Sequence, residues 1–313
     1  MRAATLSRVL QAASDLGYIT DASERVSAAQ KPLRLVFLLP AESSSFIAML
    51  SRMFAQAQEQ FAGFNMRARV ERIESFRPDL LAQELKRVGR EADGVAFMAL
   101  EHPAVREAVN TLASAGVPTV TLISDIANTK RSAYVGLDNR SAGRTAGYLI
   151  ARFIGPKPAK VAMIAGSLSY RAHEEREMGF LHLFEEMFPA IKVVGLREGH
   201  DDPDKNYRQT RMLLSQHPDL AGIYNIGGAA DGVARALKEA KRERDVVFVG
   251  HGLTPDTRAL LIDGTMDAVI TQNPLDAVTN CIAIFNNLRA GRDAMAGVEH
   301  TRSEIIFREN IPA

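Results

Sequence analysis

Leu33-Arg34-Leu35-Val36-Phe37-Leu38-Leu39, with Phe46, Met49, Leu50, Met53 and Phe54 following shortly after, is the stretch on which the reading of this chain turns. The first run is Val- and Leu-rich with little polar alternation, as a strand buried on both faces of a parallel sheet is. The second sets apolar residues three and four apart, the stripe of an amphipathic helix. The same pair recurs along the chain. Strands are expected at Leu33–Leu39, Arg67–Ile73, Gly94–Ala99, Thr119–Ile123 and Ala133–Leu137, then at Lys160–Ala165, Lys192–Leu196, Gly222–Ile226, Val246–Gly250 and Ala268–Thr271, with a last one at Glu304–Arg308. A helical stripe such as Leu80, Leu81, Leu85 and Val88 stands between strands. Alternation of this kind gives right-handed crossovers with helices on both sheet faces. The expected fold class is therefore α/β, with two lobes that are each a parallel sheet flanked by helices. The first lobe is expected over residues 33–155 and the second over 156–274, with Gly155-Pro156-Lys157-Pro158 as connector. Residues 275–313 add one helix and one strand without a unit of their own, and are expected to return to the first lobe.

The 313 residues, 46% hydrophobic and 24% charged, suit a globular body of two such lobes. A net charge of +1 excludes a polyelectrolyte binder, so any nucleic-acid contact has to come from a local element. No apolar run approaches the roughly 18–20 residues of a membrane helix, so no membrane partner is expected. The N-terminus lacks the apolar core of a secretory signal, and a cytoplasmic protein is expected on that ground. The single cysteine, Cys281, lies on an apolar helical stripe, which excludes an internal disulfide. Residues 1–32 lie ahead of the rhythm; within them Thr5 suits an N-cap, Leu6, Val9, Leu10 and Ala13 make a stripe, and Gly17 a stop. Neither a phosphate-binding Gly-rich loop with Lys nor a Gly-x-Ser-x-Gly turn occurs, and the seven histidines have no metal-ligand spacing. No cofactor, metal or enzymatic activity is expected.

Four segments carry a family resemblance: Val135–Gly143, Arg176–Phe180, Pro218–Asn225 and Phe307–Pro312. In order and spacing they resemble the LacI-type bacterial regulators, whose core is shared with periplasmic sugar-binding proteins of the ribose type. The resemblance implies the two-lobed, type I periplasmic-binding-protein-like fold. Thr5–Tyr18, ending in Leu16-Gly17-Tyr18, is similar to the third helix of that family's DNA-binding headpiece, so residues 1–32 are read as the remnant of headpiece and hinge. The implied function is an effector-binding core that couples a small ligand to operator DNA affinity, with a homodimer as the assembly. In the hinge, Asp21–Ala28 lacks the leucine that wedges into the minor groove, so this chain is expected to bind effector without operator. The alternative is a stand-alone sugar-binding protein that serves a transporter; a sugar-metabolising α/β enzyme, resting on Arg176, His251 and Asp138, is a second rival.

In such a fold the ligand lies between the lobes, at strand C-terminal ends. The resemblance implies Ser44 and Phe46 there, although serines at a helix start also serve as caps. It places Arg176 as the ligand-gripping arginine, with a surface ion pair to Glu174 or Glu177 as the alternative, and Gln272 as the glutamine at the crossover. Asn225 stands slightly ahead of the family's Asn-Asp and is expected to take that role. Asp138 follows its strand and either reaches the cleft or caps the next helix. Two family carboxylates are replaced, by Ile123-Ser124 and by His251-Gly252. With Arg176 kept and His251 gained, the expected ligand is a sugar, with a sugar acid or sugar phosphate favoured.

Overall fold

The computed structural model describes residues 31–41 and 45–312. The headpiece-like helix, the hinge segment and Ser44 lie outside the described residues. The first sheet is formed by β1 (Leu33–Pro40), β2 (Met66–Ile73), β3 (Gly94–Phe97), β4 (Thr119–Leu122) and β5 (Ala133–Val135). Their order is β2-β1-β3-β4-β5, all parallel. Around it pack α1 (Ser45–Gln56), α2 (Gln58–Gly63), α3 (Pro78–Val88) and α4 (Pro103–Ser114). Central strands β3 and β4 are buried at every residue, whereas edge strand β2 alternates buried and exposed positions, as its single covered face requires.

The second lobe opens with α5 (Asn139–Ile154) and continues through β6 (Ala159–Ala165), α6 (Arg171–Met187), β7 (Ile191–Glu198), α7 (Pro203–Gln216), β8 (Leu220–Asn225), α8 (Ala230–Glu239), β9 (Val247–His251), α9 (Pro255–Asp263) and β10 (Ala268–Thr271). The chain ends with α10 (Pro274–Arg289) and β11 (Glu304–Ile306). The second sheet runs β11-β10-β9-β8-β6-β7, parallel except for β11 against β10. Each lobe thus repeats the doubly wound order in which the first strand lies between the second and third, and each has a switch point beside that strand. The eleven expected strands are all present, with no end shifted by more than two residues.

Two boundaries differ from the expectation. The first crossing between lobes falls at Gly136–Asp138, not at Gly155–Pro158, because α5 packs on the second sheet. Its buried face carries Ala142, Gly143, Ala146, Gly147, Ile150 and Ala151, and four of these belong to the core of Val161, Phe180 and Tyr224. Small residues let it lie directly on α6: a Cβ at Gly143 would sit 2.0 Å from the Arg176 carbonyl oxygen, and one at Gly179 2.1 Å from that of Arg140. The second difference is at the C-terminus. α10 does return to the first lobe, burying Ala277, Val278, Cys281, Ile282, Ile284 and Phe285 in its core. The final strand then crosses back and pairs with β10 in the second sheet. Residues 275–306 are shared between the lobes, since β10 leaves an edge that β11 covers.

Candidate ligand-binding cleft

The C-terminal ends of both sheets face one cleft. From the first lobe it is lined by Ser45, Phe46, Met98 and Ile123. From the second come His173, Arg176, Asp201, the Gly227–Ala230 turn, His251, Thr254, Asp256 and Thr271, with Gln272 at the second crossing. The lobes are shut over it. Ser45 Oγ donates to Asp256 Oδ2 at 2.5 Å, Glu101 N to the Ser169 carbonyl at 2.9 Å, and Ala172 N to Ser124 Oγ at 3.3 Å. Tyr170, from the second lobe, is buried in the first lobe's core and meets the Phe76 ring edge-on at 5.4 Å.

Arg176 projects from α6 and is only 7% exposed. Its Nε donates to Asn139 Oδ1 and its Nη1 to the Ile226 carbonyl, each at 2.9 Å. Both acceptors are neutral, and Nη2 has no partner among the described residues. The expected alternative, a surface pair with Glu174 or Glu177, does not form; burial pushes the guanidinium below its ordinary value. Asn139 is itself fixed: its Nδ2 donates to Tyr134 Oη at 3.0 Å, and that hydroxyl lies 3.0 Å from the carbonyls of Ile123 and Leu137. Ile123 has a φ of +64°, a strained backbone for a β-branched residue, and it lines the cleft.

The two histidines that line the cleft, His173 and His251, are neutral. Burial, then the nearby Arg176 charge, lowers His173 to about 3. The same two causes, in the same order, hold His251 well below its ordinary value. His251 Nε2 lies 2.6 Å from the buried Tyr224 hydroxyl, which burial keeps protonated, so its Nδ1 is the remaining ring nitrogen. Gln272 is 6% exposed and its amide has no protein partner among the described residues.

Of the expected residues, Phe46, Arg176, His251 and Gln272 line the cleft together. Asp138 and Asn225 do not. Asp138 caps α5, accepting from Ser141 N at 2.9 Å and Ser141 Oγ at 2.7 Å. Asn225 is 1% exposed and turned inward, where its Nδ2 donates to the carbonyls of Gly227 and Gly228 and holds the turn that the cleft uses. The expected charge of the cleft also changes. His251 brings no cation, and Asp201 and Asp256 supply two carboxylates where two had been read as lost. Asp201 lies in the loop just past β7, where no strand-end or helix-stripe pattern marks a cleft residue. The Gly199-His200-Asp201-Asp202-Pro203 run, an acid ahead of a cap-and-proline helix start, was its one visible signal.

A family model described as a periplasmic binding protein domain matches residues 35–293, and the chain belongs to that family. The particular relatives are sugar binders by name. The ribose import binding protein of Escherichia coli is 31% identical over 174 residues, 55% of this chain and 57% of that protein. The D-allose-binding periplasmic protein of the same organism is 29% identical over 145 residues, 46% of each. The chain spans less than two thirds of the length of these curated relatives. A glucose-galactose binding protein from Geobacillus stearothermophilus superposes with a TM-score of 0.81 at 24% identity, over 91% of this chain and 100% of that one. A solute-binding protein from Burkholderia graminis, in complex with D-arabinose, gives 0.80 at 20% identity over 90% and 97%.

These findings overturn the regulator reading. The motifs that carried it mark the core that regulators share with ribose-type binding proteins, and the family and relatives found are solute binders. Operator DNA and the homodimer rested on that reading, and these findings support neither. The expected cytoplasmic location is overturned by the same match, since the family is one of periplasmic binding proteins.

Proposed function

We propose that this chain is a solute-binding protein for a monosaccharide, held between the lobes and handed to an import system. The observation that carries the reading is Arg176: an almost fully buried cation in a closed cleft, with one nitrogen, Nη2, left without a protein partner. A buried charge without a full set of partners is costly, and hydroxyl oxygens of a ligand complete the set. Around it the cleft offers groups of both senses. Gln272 donates and accepts, neutral His251 presents Nδ1, and Asp201 accepts. Phe46 supplies an apolar wall against which the C–H face of a sugar ring packs, the mixture expected of a small-ligand site. One cation against the carboxylates of Asp201 and Asp256 leaves no excess positive charge, which favours a neutral sugar over a sugar acid or phosphate. The relatives named for ribose and allose support this ligand class. The test is isothermal calorimetry of the chain against D-ribose, D-allose, D-arabinose, D-glucose and D-galactose. Saturable heat with at least one of them, lost in Arg176→Met, is expected; no heat from any of the five refutes the reading.

A further inference from the structure

Asp201 sits in a seat built for one carboxylate. It and His200 both take left-handed backbone, with φ of +53° and +55°. Two consecutive left-handed residues that are not glycine form a costly turn, held only where the surroundings enforce it. The turn carries the side chain beneath the Gly227–Gly228 backbone, where Oδ1 accepts from Gly228 N at 2.7 Å. Room for it exists because two neighbours lack side chains: a Cβ at Gly166 or at Gly227 would fall 2.5 Å from Oδ1. The second oxygen, Oδ2, has no partner among the described residues, and the side chain lines the cleft. Arg176 lines the same cleft, yet its bonds go to Asn139 and Ile226 and that of Asp201 goes to Gly228. Two opposite charges thus face one small space without joining. A ligand that bridges them must accept at one end and donate at the other, as neighbouring hydroxyls of a polyol do.

We propose that Asp201 determines specificity in this cleft: its Oδ2 accepts a hydroxyl hydrogen bond from a neutral sugar and repels the matching uronate or phosphorylated sugar. The inference rests on the monosaccharide reading above and goes beyond it by assigning the discriminating group. An acceptor-only carboxylate whose Oδ2 receives no hydrogen bond from a cation, Arg176 acting on it only through space, disfavours a second anion beside it.

The charged and titratable groups facing Asp201 are Arg176 and His173 from α6 and Tyr170 just ahead of it; the 227–230 turn adds the Gly228 N–H. Burial raises the Asp201 carboxyl to about 6. His173 stays neutral down to about 3, and burial raises the Tyr170 hydroxyl, so neither changes charge around pH 6. Acceptance by Oδ2 needs the ionised form, so affinity for the neutral sugar falls as pH drops through about 6.

Calorimetry of the full chain with the five aldoses, D-glucuronate, D-galacturonate and D-ribose 5-phosphate tests this, in wild type and Asp201→Asn. Asparagine tolerates the left-handed backbone and keeps the acceptor for Gly228 N–H, changing only the group at Oδ2. The variant is expected to bind the best aldose about 10- to 100-fold more weakly. The preference over the anionic sugars is expected to narrow, and the dependence on pH to flatten. The wild-type pH profile needs no variant and stands if Asp201→Asn does not fold. An aldose bound as tightly by Asp201→Asn as by wild type, an anionic sugar bound as tightly as the aldose by wild type, or a wild-type affinity flat through pH 6 overturns the proposal. Failure of wild type to bind any aldose instead removes the monosaccharide reading, and the assignment with it.

Discussion

Gly143→Ala adds one methyl group where α5 and α6 touch, and its effect can be worked from the contact. The new Cβ would lie 2.0 Å from the Arg176 carbonyl oxygen, where Cβ atoms essentially never come closer than 3.0 Å. The two helices must part by about 1 Å at that point, and the obstacle is backbone, which cannot rotate away as a side chain can. Overpacking of this kind costs about 1–3 kcal/mol, and a backbone obstacle places it near the top of the range. At about 3 kcal/mol the melting temperature of a chain this long falls by roughly 5 °C. The displaced atom belongs to Arg176, the residue proposed to hold the ligand, so on that proposal sugar affinity is expected to fall at least about tenfold in the folded variant. Gly63→Ala is the control. Nothing lies within 4 Å of a Cβ there, and the residue ends a helix at ordinary negative φ. It is expected to be neutral or to stabilise by up to about 1 kcal/mol. Thermal and urea unfolding of both variants, followed by calorimetry, make the comparison. A Gly143→Ala protein as stable as wild type would refute the argument that small residues set this helix contact.

Arg176→Met removes a buried cation together with the donors to Asn139 and Ile226. Sugar binding is expected to vanish while unfolding free energy changes by less than about 2 kcal/mol in either direction, because an incompletely paired buried charge adds little stability. Retained affinity would sink the assignment of Arg176 to the ligand. Without ligand, the Asp201 carboxyl is raised from 3.8 to about 6, so its contribution is fully present below 3.8 and is lost as pH rises through about 6. Asp201→Asn is therefore expected to be more stable than wild type near neutral pH, by at most about 3 kcal/mol, with the gap closing toward pH 4. The difference between the two proteins is the quantity to measure, since lowered His173 and His251 destabilise the fold as pH falls and act equally in both. A gap that does not vary with pH would contradict the burial of Asp201. Ser45→Ala breaks the bond that joins the lobes at the cleft mouth and is expected to speed sugar release in stopped-flow measurements; an unchanged off-rate would show that Ser45–Asp256 does not hold the lobes shut. Cys281, whose thiol burial raises, is expected to resist thiol reagents until the chain is unfolded in denaturant.

Period and residue type were enough to place the strands to within two residues: central strands are apolar because both faces are buried, and edge strand β2 alternates because one face is covered. Arg176, Gln272 and Phe46 were legible as cleft-lining residues through resemblance. The direction of a side chain was not. Asp138 and Asn225 follow their strands as cleft residues do, yet one caps a helix in solvent and the other turns inward to hold a backbone turn. Which sheet a helix serves was equally hidden. The small residues of α5 are compatible with either lobe, and only the approach of Gly143 to α6 places them.

The sequence by itself determined the alternating architecture, the two lobes and the position of the cleft at the strand ends, since these follow from hydrophobic period and local turn chemistry. Tertiary structure decided the charge of the cleft. It made two histidines neutral by burial, left Arg176 short of partners and brought Asp201 in from a loop. Those are properties of desolvation and of distances between residues far apart in the chain, and no local pattern encodes them.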